Sequence, residues 1–159
     1  MFEPANRVVP RVNGQFPVLD ARAKILGLQA AMMAMPDHVD PPLTHTYAPG
    51  AYGRTIYMPA GLLIIGKIHK HAHLNIISQG KCSVFTPSGM RDLEGFCIFT
   101  SEPGTKRVVL CHTDVIWTTV HVGEVMDSQD LERIEDEVIA PTFEDYDALM
   151  AQAMERIAQ

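Results

Sequence analysis

The sequence predicts an all-β core carried between helical ends, and three observations point there. From Tyr52 onward, short runs rich in β-branched and aromatic residues recur with turn residues between them. No helical spacing interrupts these runs up to Val122, while the segments on both sides switch to the three-and-four spacing of amphipathic helices. Strands spaced this regularly, without crossover helices, form antiparallel sandwiches or barrels.

The elements follow in order. Pro4, Pro10 and Pro17 space out an extended arm over residues 1 to 19, and such an arm is held by lying on another surface, such as a second subunit. Asp20 is placed to cap a helix running to Ala34, with Ile25, Leu28, Met32 and Met35 on one stripe and Pro36 ending it. Pro36 to Pro49 reads as loop. Eight candidate strands come next: Arg54 to Met58, Leu62 to Lys70, Leu74 to Ser78, Lys81 to Thr86, Met90 to Glu94, Cys97 to Thr100, Arg107 to Leu110 and Val115 to Val122. Gln79-Gly80, Pro87-Ser88-Gly89 and His112-Thr113-Asp114 supply turns. Gln129 to Val138 places Leu131, Ile134 and Val138 on one side, and Ala140-Pro141 stops it. Thr142 and Asp145 then form a capping box ahead of Phe143, Tyr146, Leu149, Met150, Ala153, Met154 and Ile157 at helical spacing. The expected division is arm and helix over 1–50, barrel over 51–123 and acidic helical extension over 124–159.

Composition narrows the function classes. With 159 residues, 47% apolar and 20% charged, the chain is long enough for one domain with a real core. Its net charge of −6 argues against a basic nucleic-acid-binding face. The longest apolar run, Ala30 to Met35, is far short of the roughly 20 residues of a membrane span. Met1-Phe2-Glu3-Pro4 lacks the basic and then apolar order of a secretory leader, so a cytoplasmic protein is expected. Residues 1 to 123 hold 11 basic and 8 acidic side chains, against 2 and 11 in the remainder. The acids of that tail read mainly as a solvated helix face, with neutralisation of a basic neighbour as the alternative. Cys82, Cys97 and Cys111 are odd in number and lack paired spacing, so neither a disulfide framework nor a zinc knuckle is indicated.

One spacing carries more information than the rest: Gly61, five residues, Lys67, Ile68, His69, three residues, His73, six residues, Gly80. It resembles the first motif of the cupins, in which Gly, five residues, His-x-His, three or four residues, Glu, six residues and Gly follow one another. Lys67 stands at the first His place and His73 at the Glu place. The second cupin motif is matched more loosely by Gly95, a six-residue gap and Glu102-Pro103-Gly104-Thr105-Lys106-Arg107, with Arg107 at the His place. The resemblance covers about residues 52 to 122 and implies a cupin-type jelly-roll barrel. The strings KIHKHAH, PGTKRV and HTDVIWTTVH are also similar to small cupin-like proteins encoded by tailed bacteriophages, whose role is generally unassigned. Cupins include oxygenases, isomerases and non-catalytic binding proteins, so the fold alone selects no activity.

In a usual cupin, imidazoles and a carboxylate hold a divalent Zn, Fe, Mn or Ni ion inside the barrel. Here two of the four inherited places are cations, and a full charge about 5 Å from a divalent ion costs about 6 kcal/mol at an effective dielectric near 20. This cost argues against the unmodified family site on those four side chains. His121 offers one repair, because alternation along Trp117 to His121 puts it on the face of Trp117 and Thr119. His69, His73 and His121 then make a three-histidine metal site. His71 is the other candidate, expected at the mouth. Without metal, Lys67 and Arg107 describe an anion pocket lacking a motif carboxylate. A third reading makes these residues interior polar groups bonded to one another, to Ser78, Thr118, Thr119 or to water.

Other residues take structural roles: Asp114 in turn bonding beside an exposed His112, Trp117 as a core anchor, the cysteines as unactivated thiols, and Lys106 reaching solvent. His38 and His45 give no signal. Exposed sheet edges favour pairing across subunits, so a homodimer or larger ring is expected. Three functions follow: a metal-binding or small-anion-binding cupin without established catalysis, a metal-dependent oxygenase or isomerase, or a structural, virion or interaction protein that uses the barrel as scaffold.

Overall fold

The computed structural model describes residues 18–158. The proline-spaced arm lies outside the described residues. Helix α1 (Val18–Met33) begins before Asp20, which therefore sits in the first turn rather than at the cap and pairs with Lys24 at 3.0 Å. Its stripe is real: Ala21 and Ile25 are buried and Leu28 and Met32 half-buried, whereas Met35 lies past the helix end and is exposed.

Strand β1 (Leu43–Ala48) occupies the stretch read as loop and pairs antiparallel with β2 (Ala51–Met58). The hairpin turns at Pro49-Gly50, where Gly50 has φ +69°. The run read as one strand from Leu62 to Lys70 is two, β3 (Leu63–Ile65) and β4 (Ile68–His69). Between them the Gly66 N–H still bonds the Arg107 carbonyl at 2.9 Å, after which the chain leaves that sheet. The other predicted strands form with small boundary shifts: β5 (His73–Gln79), β6 (Lys81–Thr86), β7 (Gly89–Glu94), β8 (Cys97–Ser101), β9 (Val108–Cys111) and β10 (Val115–Val122). Helix α2 (Leu131–Val138) is capped by Asp130, whose carboxylate accepts the Arg133 N–H at 3.1 Å. It runs into β11 (Ile139–Ala140), and the Thr142–Asp145 capping box opens α3 (Phe143–Ile157).

Two antiparallel sheets face one another, one ordered β1-β2-β10-β5-β8 and the other β3-β9-β6-β7. They are not closed into a continuous barrel, because β7 and β8 end their respective sheets without pairing to each other. The inner faces make the main core, with Met58, Ile77, Cys82, Val84, Leu93, Val109, Cys111, Val115 and Trp117 buried together. Burial of such side chains stabilises by about 1.5 to 3 kcal/mol each. Period-two alternation is clean in β5, where His73, Asn75 and Ile77 are buried.

The C-terminal extension is built onto this core. β11 pairs with β4, bringing Ile139 opposite His69 and Ala140 opposite Ile68. Ile134 and Val138 of α2 pack with Tyr52 and Met126 in a second buried cluster. Arg22 of α1 bonds Asp147 of α3 at 2.7 Å and stacks 4.3 Å from the Phe143 ring, joining the two end helices. Most acids of the tail are exposed, yet Asp147 and Glu135 meet basic partners, so both readings of the tail hold in part. No helix among the described residues is long and apolar enough to cross a membrane.

Gly80, one end of the motif spacing, has φ +97°, and a Cβ there would collide with the Asp114 carbonyl. Gly80→Ala is expected to destabilise the protein by about 3 kcal/mol or more, read as a lowered urea midpoint. An unchanged midpoint would remove this explanation of the glycine.

Candidate functional site at the barrel mouth

Three strands that are distant in sequence deliver one imidazole each to the same end of the interior. His69 comes from β4, His73 from the first position of β5 and His121 from β10. His121 and Trp117 are both buried on the inward side of β10, as alternation requires. The rings converge: His69 and His73 centroids lie 4.2 Å apart, His73 and His121 4.7 Å, and His69 and His121 5.1 Å. His71 is exposed at the turn, where its carbonyl meets His73 Nδ1 at 3.3 Å. His73 Nε2 is buried without a hydrogen-bond partner among the described residues.

Burial disfavours the charged form of all three imidazoles. Burial, followed by the charges of His73, His121 and Arg107, pushes the His69 imidazole down to about 2. Burial and then His73 push His121 down to about 4. Desolvation also lowers His73, with the bond to the His71 carbonyl opposing it. A neutral imidazole is the form that ligates a metal. As they stand, however, two of the rings stack at 17°, and among the described residues no group of three or more His, Cys, Asp or Glu is arranged to hold an ion. The donor chemistry fits a divalent metal; seating one would require the rings to turn their nitrogens to a common point.

The cluster borders a cavity of about 310 Å³ that Lys67, His69, His121, Arg54, Glu135 and Tyr52 help to line. Lys67 forms an ion pair with Glu135 of α2, so the carboxylate that the motif lacks comes from the C-terminal extension. The second cation here is Arg54, not Arg107: desolvation lowers the Lys67 ammonium first, and the Arg54 charge lowers it further. Arg54 lies on the inward stripe of β2 between Tyr52 and Ile56, opposite Thr119 of β10. His45 on β1 is also present, its Nδ1 2.8 Å from the Tyr52 hydroxyl. Both residues escaped the sequence reading, although a charge on an otherwise apolar alternating stripe was a visible signal for Arg54.

Lys67 and Arg107, expected to share one lumen, line different cavities, although the Arg107 charge still lowers His69 and His73. In its cavity the Arg107 guanidinium donates to Asn75 Oδ1 at 3.0 Å and to Ser101 Oγ. The physical reason is the break between β3 and β4: Lys67 falls at the irregular turn and leans toward α2, while Arg107 stays at the entrance of β9. Lys106 overturns its expectation as well. It is 7% exposed, donates to the Gly66 carbonyl at 2.8 Å, and desolvation lowers its ammonium.

The remaining assignments follow the structure. Trp117 is a core anchor, edge-on to Phe99 at 5.6 Å, and its indole N–H donates to Asn75 Oδ1 at 3.0 Å. Asp114 accepts the Ala60 N–H at 2.9 Å, and the exposed His112 meets the Ser83 hydroxyl at 2.7 Å. Cys82 is pushed up to about 11 by burial, and burial raises Cys111, so both stay thiols.

Several solved structures overlap this chain in part. A Cupin 2 conserved barrel domain protein from Salinispora arenicola aligns over 60% of this chain and 88% of its own, at 16% identity and a TM-score of 0.44. A cupin protein from Bacteroides fragilis aligns over 55% and 81%, at 14% identity and a TM-score of 0.44. The Schizosaccharomyces pombe Cnp3 cupin domain aligns over 60% and 69%, at 18% identity and a TM-score of 0.43. The structural neighbours are cupin-domain proteins. No protein-family model and no curated protein matches the sequence. At TM-scores below 0.5 no ligand or activity is carried over from these proteins, and none of them bears on the phage resemblance.

The neutral histidines set a pH dependence. An unfolded chain protonates imidazoles near pH 6.5, whereas the fold holds His121 neutral to about 4. Between those values the unfolded state binds more protons, so stability fully present above about pH 6.5 is withdrawn as pH falls, by about 1.4 kcal/mol per pH unit for each imidazole. Urea unfolding of metal-free protein should show the midpoint falling from about pH 6.5 to about pH 5, with a shallower fall in His121→Gln. Equal profiles for the two proteins would contradict the buried neutral assignment.

Proposed function

We propose that this chain is a cupin-like binding protein whose barrel mouth takes up a divalent metal ion on His69, His73 and His121. The observation that carries the reading is the meeting of three imidazoles, with no carboxylate among them, beside a cavity of about 310 Å³. The unpartnered, buried His73 Nε2 supports it, because a buried polar atom without a bond costs about 1 to 3 kcal/mol unless something fills the place. An all-imidazole donor set suits zinc, iron or nickel better than calcium or magnesium. When bound, such an ion supplies Lewis-acid polarisation of a ligand oxygen and a lowered pKa for bound water.

The chain's own residues would then select what approaches. Arg54 and Lys67 line the same cavity and favour an anionic small molecule, a carboxylate or phosphate, with Glu135 holding Lys67 to the α2 side. Tyr52, stacked 6.2 Å from His121, and the apolar side chains of α2 exclude water from the back of the cluster. We also propose a homodimer or larger ring. Leu74, Ile98 and Val122 lie exposed on the outer face of the five-stranded sheet, which supports self-association through an uncharged surface.

Purified protein loaded with zinc or cobalt and then desalted should retain close to one ion per chain by elemental analysis. His69→Ala, His73→Ala and His121→Ala should each weaken binding at least about tenfold by calorimetry, with the fold retained by circular dichroism. Failure to retain any divalent ion, or unchanged affinity in all three variants, would overturn the metal reading. Light scattering after size exclusion should give at least twice the 17.6 kDa chain mass, and a monomer at micromolar concentration would refute the assembly.

A further inference from the structure

A second cavity, of about 300 Å³, opens along the unpaired seam between β7 and β8 and is lined by none of the three histidines, although its Ser101 pairs with His73. Two guanidiniums line it. Arg107 is largely enclosed, its carbon 5.4 Å from the Trp117 ring and 5.9 Å from the Phe99 ring. Arg91, on β7, comes to the same Phe99 ring at 5.1 Å. Both partners of Arg107, Asn75 and Ser101, are neutral. Among the described residues neither arginine forms an ion pair; Glu102 lines the cavity but reaches neither of them within ion-pair distance.

This is an unusual balance of charge. In a protein with net charge −6, two cations converge on one aromatic ring in a concave site and have no counter-ion among the described residues. An enclosed charge is expensive unless it is paired. Asn75 and Ser101 take two of the five N–H donors of Arg107, and no acceptor among the described residues takes the others. Hydroxyls of Ser88 and Thr105 also line the cavity.

We propose that the β7–β8 seam binds a small molecule through a carboxylate or phosphate group, with Arg107 as the preset fork and Arg91 as the second, exposed clamp. A doubly charged oxyanion matches the two guanidiniums, and a cavity of this size admits a small metabolite but no polymer. The contacts proposed here are made by the arginines and not by the histidines, so chelator-treated protein should still bind the anion.

The test is calorimetry and thermal unfolding at low ionic strength with inorganic phosphate in one arm and succinate in the other, chloride serving as the control. Saturable binding of at least one of the two below about 10 mM, with a rise in Tm, is the expected result, and the arm that binds names the oxyanion. Arg91→Ala, at an exposed position that leaves the core untouched, should weaken that binding at least about tenfold, and Arg107→Lys should do the same by removing the fork. Binding of neither anion, unchanged affinity in Arg91→Ala, or loss of binding on Arg54→Ala instead would overturn the proposal.

Discussion

The interior depends on one buried amide. Asn75, 0% exposed, accepts the Trp117 indole N–H and an Arg107 N–H on its Oδ1, each at 3.0 Å, and donates to the Ser101 hydroxyl at 2.7 Å. These bonds join β5, β8, β10 and the residue that leads into β9, and every one of them lies where an unmade bond would be costly. Because side chains alternate with period two, turning Asn75 and Trp117 inward also turns His73 and His121 inward. The register of β5 against β10, with Asn75 opposite Thr119 and Trp117 opposite Ile77, thus sets the apolar floor and the imidazole mouth together.

Around that hub the two-sheet interior is layered. Toward one end Ile56, Trp117, Ile77 and Cys97 meet across the five-stranded sheet; above them come Arg54, Thr119, Asn75 and Phe99; His121 and Tyr52 lie at the mouth. The C-terminal extension completes the mouth. α2 contributes the carboxylate opposite Lys67, and β11 continues the pairing that β4 lost on leaving β3. A chain that kept β3 and β4 as one strand would leave His69 without Ile139 beside it and the cavity without its α2 wall. The acidic tail is therefore part of the site, although most of its charges face water.

Much of the architecture was legible because it rests on local chemistry. The turn glycines, the alternation from Lys81 to Thr86 and from Val115 to Val122, the Thr142–Asp145 box and the stripe on α1 all act within a few residues of themselves. His69, His73 and His121 could be grouped before any coordinates because the motif spacing located two and strand alternation located the third. The misses depended on distant partners. β1 was hidden by its flanking prolines, although Thr44 to Tyr47 carries branched and aromatic residues before a Pro-Gly turn. The split of β3 from β4 depends on β11, some seventy residues on. The separation of Lys67 from Arg107, the burial of Lys106 on the Gly66 carbonyl and the role of Asn75 follow from that split or from cross-strand neighbours, and no spacing along the chain encodes them.

The three imidazoles carry the functional reading, so their state in solution is the decisive quantity. Histidine-selective nuclear magnetic resonance of the metal-free protein, titrated from about pH 8 to about pH 5, reads each ring directly. The geometry requires His69 and His121 to keep neutral-imidazole shifts over that whole range and to show ring-to-ring contacts with His73. Signals that move through an ordinary titration near pH 6.5, without those contacts, would contradict a dry cluster at the barrel mouth.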